Sequence, residues 1–190
     1  MNSEENIVRG CVKGDRLAQK TLFETYAPTM LGICMRYSND KEEAEDILHD
    51  SFIKVYTNIK NFRFEGSLEG WIRKIVVNTS LYHVQTKLKF SYHLKFEDIN
   101  ESEILNHHDL QDESASQENY SMDDLIRAIQ KLPDGYRTVF NLYVFEKFKH
   151  KDIAEKLGIN ENTSKSQLHK ARMMLQKILL NKTSVNNIVS

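Results

Sequence analysis

Apolar residues recur along this chain at spacings of three and four, and the pattern predicts an all-α fold. At the N-terminal end one helix is expected around Glu4 to Lys13 and another from Asp15 to Tyr26, continued beyond Pro28 by the run Met30 to Tyr37. Asp40, with Glu43 three residues later, has the form of a capping box. The helix it starts carries Ala44, Ile47, Leu48, Ser51, Phe52, Val55 and Ile59 as one continuous apolar stripe. Asn61 to Gly66 breaks the period, and Ser67 is a suitable cap for a helix from Leu68 to about Val84, with Leu68, Ile72, Ile75, Val76 and Thr79 facing inward. Near the other end, Ile153, Ala154 and Leu157 share one face of a short helix and Gly158 supplies a left-handed stop. Asn160 can cap a second helix whose inner stripe is Leu168, Ala171, Leu175 and Ile178.

Charge is segregated in a way that the net charge of -1 conceals. Residues 54–95 hold eight Lys or Arg against Glu65 and Glu69, and residues 136–182 hold ten against four acids. Between them, residues 97–124 contain ten acids and neither Lys nor Arg. That block lacks sustained helical periodicity and reads as an acidic, flexible linker. The expected organisation is therefore a first helical domain over residues 1–95, a linker over 96–121, a second helical domain over 122–183 and a tail over 184–190. With 40% hydrophobic residues in 190, two small cores are affordable. No run approaches the roughly 20 apolar residues of a membrane span and the polar N-terminus does not resemble a signal peptide, so a cytoplasmic chain without membrane insertion is expected. Cys11 and Cys34 lack CxxC spacing, which favours buried or idle thiols over a disulfide or metal site.

The stretch His150 to Arg172 has the layout of a helix-turn-helix. Its second helix leaves Glu161, Asn162, Thr163, Lys165, Ser166, Gln167, His169, Lys170 and Arg172 at or near the solvent face, side chains suited to base edges and phosphates. An ordinary helical hairpin would show the same turn, but the surrounding basic segment is what a polyanion would select. Phe62, Phe64 and Trp71, interleaved with Arg63, Arg73 and Lys74, are either core aromatics or a surface on which single-stranded bases stack beside a tracked backbone. The acidic side of the helix after Asp40 is either a solvated face or a partner surface.

Taken in order, Asp40 to Phe52, Phe62 to Asn78, Leu132 to Phe140 and the helix-turn-helix resemble the extracytoplasmic-function sigma factors. The resemblance spans nearly the whole chain. It implies a first domain that binds bacterial RNA polymerase core and opens the minus-ten promoter element, and a second that reads the minus-thirty-five element as duplex. By position, Asp46, Asp50, Ser51, Phe52 and Val55 match the polymerase-binding helix. Phe62, Arg63, Phe64, Glu65, Gly66 and Ser67 match the loop that captures a flipped base, and Trp71, Arg73, Lys74 and Asn78 match the helix beside it. Glu161, Asn162, Thr163, Lys165, Ser166, Gln167, Lys170 and Arg172 match contacts of the recognition helix.

Two positions depart from the family pattern. The helix after Asn78 lacks an Arg-rich end, and Ser164 stands where an apolar residue is frequent. The resemblance also implies an anti-sigma factor as partner, and no catalytic residue, metal or cofactor. A helix-turn-helix activator that binds duplex DNA without forming a holoenzyme is the alternative. A metalloenzyme built on Asp46 with His49, and on Glu103 with His107, His108 and Asp109, is a remote one, since a bundle site of this kind needs the pair repeated with further carboxylates.

Overall fold

A computed structural model of the chain describes residues 3–94 and 120–186. Every regular element there is helical: α1 (Ser3–Val12), α2 (Arg16–Tyr37), α3 (Lys41–Asn58), a 3-10 turn (Ile59–Asn61), α4 (Leu68–Leu94), α5 (Met122–Gln130), α6 (Asp134–Val144), α7 (His150–Leu157) and α8 (Glu161–Asn186). The expected starts are set by local chemistry. Asp15 accepts from the Leu17 amide at 2.8 Å, and Asp40 accepts from the Glu43 amide at 2.8 Å. The Glu43 carboxylate returns to the Asn39 amide at 2.8 Å, so two otherwise unpaired amides are satisfied where α3 begins.

One helix spans a proline unbroken, and another runs further than its sequence suggests. Pro28 lies inside α2, which continues without a break to Tyr37. A proline there removes one backbone bond and costs about 3 kcal/mol. Leu22, Tyr26, Ala27, Met30, Ile33 and Cys34 are buried on both sides of it, and each fully buried apolar side chain contributes roughly 1.5–3 kcal/mol, so burial outweighs the lost bond. Helix α4 passes Val84 and ends at Leu94. Buried Val84 and an ion pair of Lys87 with Glu43 at 3.0 Å hold its second half along α3.

Helices α2, α3 and α4 enclose the first core, in which Leu22, Met30, Ile47, Val55, Ile72 and Val76 are fully buried. In the second unit Val139, Leu142, Ile153, Leu168 and Ala171 bring α6, α7 and α8 together. Residues 95–119, most of the expected linker, lie outside the described residues. Asp123 and Asp124, the last two acids of that block, belong instead to the first turn of α5, where Ser121 caps the Asp124 amide at 3.2 Å and negative charge suits the helix dipole. At the far end α8 runs to Asn186, past the expected boundary at 183.

The two units meet along a polar seam that the sequence reading did not anticipate. Arg137, 1% exposed, donates to the Ser38 and Gln130 carbonyls at 3.1 and 2.8 Å and to Asn39 Oδ1 at 2.6 Å, and pairs with Asp134. Burial lowers its pKa from the ordinary value, and Asp134 opposes that shift. Asn141 Nδ2 donates to the Arg36 carbonyl at 2.6 Å, and Gln130 Nε2 to the Met35 carbonyl at 3.2 Å. The carbonyls at the end of α2, which have no partner within their own helix, are thus capped by side chains from α5 and α6.

Candidate nucleic-acid interface

Between the 3-10 turn and α4 the chain forms a loop whose backbone is strained at one place. Phe64 has φ 59°, a left-handed conformation that bulky residues rarely adopt. Its ring is half exposed, at 50%, and rests on Phe62 with centroids 4.9 Å apart. Phe62 in turn contacts Trp71 at 5.6 Å. Beside these rings is a cavity of about 350 Å³ lined by Asn61, Phe62, Arg63, Glu65, Gly66, Ser67, Gly70 and Trp71. Ser67 caps the first turn of α4 by accepting from the Gly70 amide at 3.1 Å, which fixes one wall of this cavity to a rigid element.

Most of the predicted loop residues therefore line one concave, partly aromatic site. Spacing of three and four puts Trp71, Lys74 and Asn78 on one face of α4 leading away from it, with Lys74 and Asn78 exposed. Arg73 lies on another face. Its guanidinium is drawn to the second unit by Glu146, at 2.9 Å from Nη2 to Oε1 and 3.2 Å from Nε to Oε2. Glu146 was missed in the sequence; its one signal there is that it is an acid within a basic segment. The loop's other side faces Glu4 and Glu5 of α1, which line a second cavity with Phe62, Phe64 and Gly66. Glu4 is held there by the Tyr26 hydroxyl at 2.7 Å, a contact across 22 residues that no local pattern announces.

On α3 the predicted polymerase-facing residues separate into two groups. Asp46 and Asp50 are exposed, with Asp50 Oδ2 2.8 Å from His83 Nε2 on α4, and Ile53 one turn on adds an exposed apolar side chain. Ser51, Phe52 and Val55 are buried. Ser51 donates to the Ile47 carbonyl at 2.6 Å, and Phe52 packs edge-on against Phe23 at 4.7 Å. Their apolar stripe faces the core, so these three side chains shape α3 from within and are not its outward contacts.

In the second unit Gly158 takes the left-handed conformation, φ 66°, that ends α7, and Asn160 Oδ1 accepts from the Thr163 amide at 2.7 Å to start α8. Opposite the buried Ser164, Leu168 and Ala171, the helix exposes Asn162, Lys165, Ser166, His169 and Lys170. Lys165 pairs with Glu161 at 2.7 Å, which lowers the Glu161 pKa. Thr163 and Gln167 are half-buried at the edges of this strip, and Arg172 lies over the Tyr143 ring at 5.8 Å. No group of three or more metal-ligating side chains occurs among the described residues, and the cluster from Glu103 to Asp109 falls outside them. Among the same residues no helix is long and apolar enough to cross a membrane.

Comparison with known proteins matches two stretches of the chain to regions of one family. Residues 22–89 match the family described as Sigma-70 region 2, and residues 122–175 match Sigma-70, region 4. The RNA polymerase sigma-H factor of Pseudomonas aeruginosa is 28% identical over 181 residues, covering 93% of each chain. The ECF RNA polymerase sigma factor SigW of Bacillus subtilis is 29% identical over 172 residues, covering 88% of this chain and 91% of that one. Among solved structures, the sigma factor RpoE from Bartonella quintana, in complex with the anti-sigma factor NepR, is similar at TM-score 0.48 and 21% identity over 84% of this chain and 95% of that chain. With both sigma-70 regions present in order, and with relatives of this kind matched over most of their length, the chain belongs to the sigma-70 family and is an RNA polymerase sigma factor of the extracytoplasmic-function type.

Proposed function

We propose that this sigma factor divides promoter recognition between its two units, with α8 reading the minus-thirty-five duplex and the loop over residues 62–67 holding a base of the minus-ten element after it leaves the stack. One observation carries the reading: a cavity lined by aromatic rings and a strained loop sits at the head of α4, directly before a strip of Trp71, Lys74 and Asn78. Unstacking a base costs a few kcal/mol, and a preformed pocket that offers a ring face and hydrogen-bond partners can offset it. The basic segment around α8 supplies phosphate contacts that position the duplex, while Asn162, Lys165, Ser166 and Lys170 reach the groove. Asp46, Asp50 and Ile53 on α3 form the surface offered to polymerase core, and holding both DNA-binding units on one polymerase makes the second contact intramolecular. The protein acts in the cytoplasm, where polymerase and promoter are found, and an anti-sigma factor is its proposed regulator.

The test is reconstitution. Purified chain mixed with bacterial core polymerase is expected to form a stable complex that starts transcription from a promoter to which core alone does not respond. Specific binding to duplex promoter DNA without any complex with core would replace this reading with that of a helix-turn-helix activator.

A further inference from the structure

Between Trp71 and Lys87 the exposed side chains of α4 form a single line, Lys74, Asn78 and Tyr82, each about one turn from the last. Lys74 and Asn78 belong to the strip already assigned to the minus-ten element, and Tyr82 continues it. Its ring is 63% exposed, so it contributes little to the core. Lys54 of α3 lies against it, with Nζ 5.4 Å from the ring centroid and donating to Thr79 Oγ1 at 3.2 Å. The His83 ring meets it edge-on at 6.5 Å. A surface ring propped by a cation and a second ring is the chemistry on which an unpaired base stacks. The same half of α4 lacks the arginines of the family pattern. Two of its basic groups are already engaged, His83 Nε2 at 2.8 Å from Asp50 Oδ2 and Lys87 with Glu43 at 3.0 Å.

We propose that Tyr82, with the Lys54 ammonium beside it, is a second stacking point for the DNA strand whose base the loop captures. It lies at the upstream edge of the minus-ten element and takes the place of the arginine contacts that the family pattern has there. The inference rests on the assignment of the loop over residues 62–67 and of α4 to that element. Direction follows from the chain: α4 leads from the cavity toward the unit that reads the minus-thirty-five duplex, so its far half lies on the upstream side. Scale follows from the helix. Eleven positions separate Trp71 from Tyr82, roughly 16 Å at about 1.5 Å per residue, which is about five nucleotides of a strand stacked at about 3.4 Å per step. The cavity and Tyr82 therefore bracket a short stretch of strand, with Lys74 and Asn78 between them. A ring holds a base through its face, with little dependence on ionic strength, whereas arginines hold phosphate by releasing counterions. The exchange makes this upstream contact less sensitive to salt than an arginine cluster would be.

The experiment uses holoenzyme made from the full chain and core polymerase. Its probe is a forked promoter fragment, duplex upstream and single-stranded over the minus-ten element, with the minus-thirty-five duplex alone as control. Tyr82→Ala and Tyr82→Leu are expected to weaken fork binding by roughly 10-fold and to leave duplex binding, core assembly and the salt slope unchanged. Tyr82→Phe, which keeps the ring, should bind as the wild type does. Lys54→Gln should instead lower the salt slope by about one counterion, and an unchanged slope would strike the ammonium from the site. 5-Iodouracil placed singly along the strand should crosslink most strongly to the wild type about five nucleotides upstream of the captured base, and Tyr82→Leu should remove that crosslink. Equal losses in the Phe and Leu variants, a crosslink that survives Tyr82→Leu, or fork binding unaltered by Tyr82→Ala would overturn the stacking role. So would weakened assembly with core, which would move Tyr82 to the surface that carries Asp50 and Ile53. Wild-type and Phe64→Ala holoenzymes are scored alongside. A wild type that binds the fork no tighter than the duplex would remove the minus-ten assignment itself, whereas a loss in Phe64→Ala with none in Tyr82→Ala would remove Tyr82 alone.

Discussion

His150 Nδ1 lies 2.9 Å from the Ser164 hydroxyl, tying the first residue of α7 to the first turn of α8. Ser164 is fully buried, and the His150 ring stacks on Tyr143 at 4.7 Å with planes 23° apart. Three helices thus converge on one hydrogen bond. The serine that departs from the family pattern has a polar partner and is not a defect in an apolar contact.

Ser164→Ala should therefore cost about 1–3 kcal/mol, because it strands the buried face of His150. Ser164→Leu should cost a similar amount by overpacking. Both should lower the urea midpoint and weaken minus-thirty-five duplex binding together, since α8 loses its fixed angle to α7. A Ser164→Ala protein with unchanged midpoint and unchanged duplex affinity would mean that the bond positions nothing.

On α3, neighbouring positions should behave in opposite ways. Asp50 is 53% exposed in its side chain, so Asp50→Arg should keep the fold and reduce affinity for core polymerase by roughly 10-fold or more through reversed charge. Phe52→Ala should instead destabilise the chain by about 3–5 kcal/mol, because its ring fills the space between Phe23 and Tyr56. Circular dichroism with titration against core polymerase separates the two effects. Normal assembly by a folded Asp50→Arg protein would take α3 out of the interface.

What the sequence disclosed and what it hid differ in range. The Asp40 and Asn160 caps and the Gly158 stop act within three or four residues, so residue type at a given spacing revealed them. The apolar stripe of α3 was visible for the same reason, but Ser51, Phe52 and Val55 lie on that stripe, so one periodicity had to serve for core and partner alike. The Arg36–Glu146 contact spans 110 residues and two units, and a single sequence holds no signal that pairs them. Pro28 shows the converse: a local rule for helix interruption was overridden by burial on both sides.

Alkaline pH should destabilise the chain through thiol and phenol groups that its packing keeps protonated. Burial raises Cys34 from 9.0 to about 12, and Tyr26 and Tyr56 from 10.0 to about 12. A group whose folded pKa exceeds its unfolded value stabilises fully below the unfolded value and loses that contribution as pH rises through the folded one. Urea midpoints should hold steady up to about pH 9 and fall between about 9 and 12. Cys34 should also resist alkylation at pH 8 until denaturant is added. Rapid native-state labelling of Cys34 would contradict its burial.

Promoter reading should fail in two separable ways. Lys165→Ala should weaken binding of the minus-thirty-five duplex by about 1–3 kcal/mol if the ammonium reaches a base, and by less, with a shallower salt dependence, if it reaches phosphate. Phe64→Ala should leave that step intact. Its ring is half exposed and its backbone strained, so truncation removes little packing, while the stacking face beside the cavity is lost. Phe64→Gly relieves the left-handed backbone as well and should be at least as stable as the alanine variant. Both loop variants should form holoenzyme, bind the upstream duplex and leave minus-ten thymines unreactive to permanganate. If they open the promoter as the wild type does, the loop does not capture a base, and the aromatic cavity must be assigned another role within the same sigma factor.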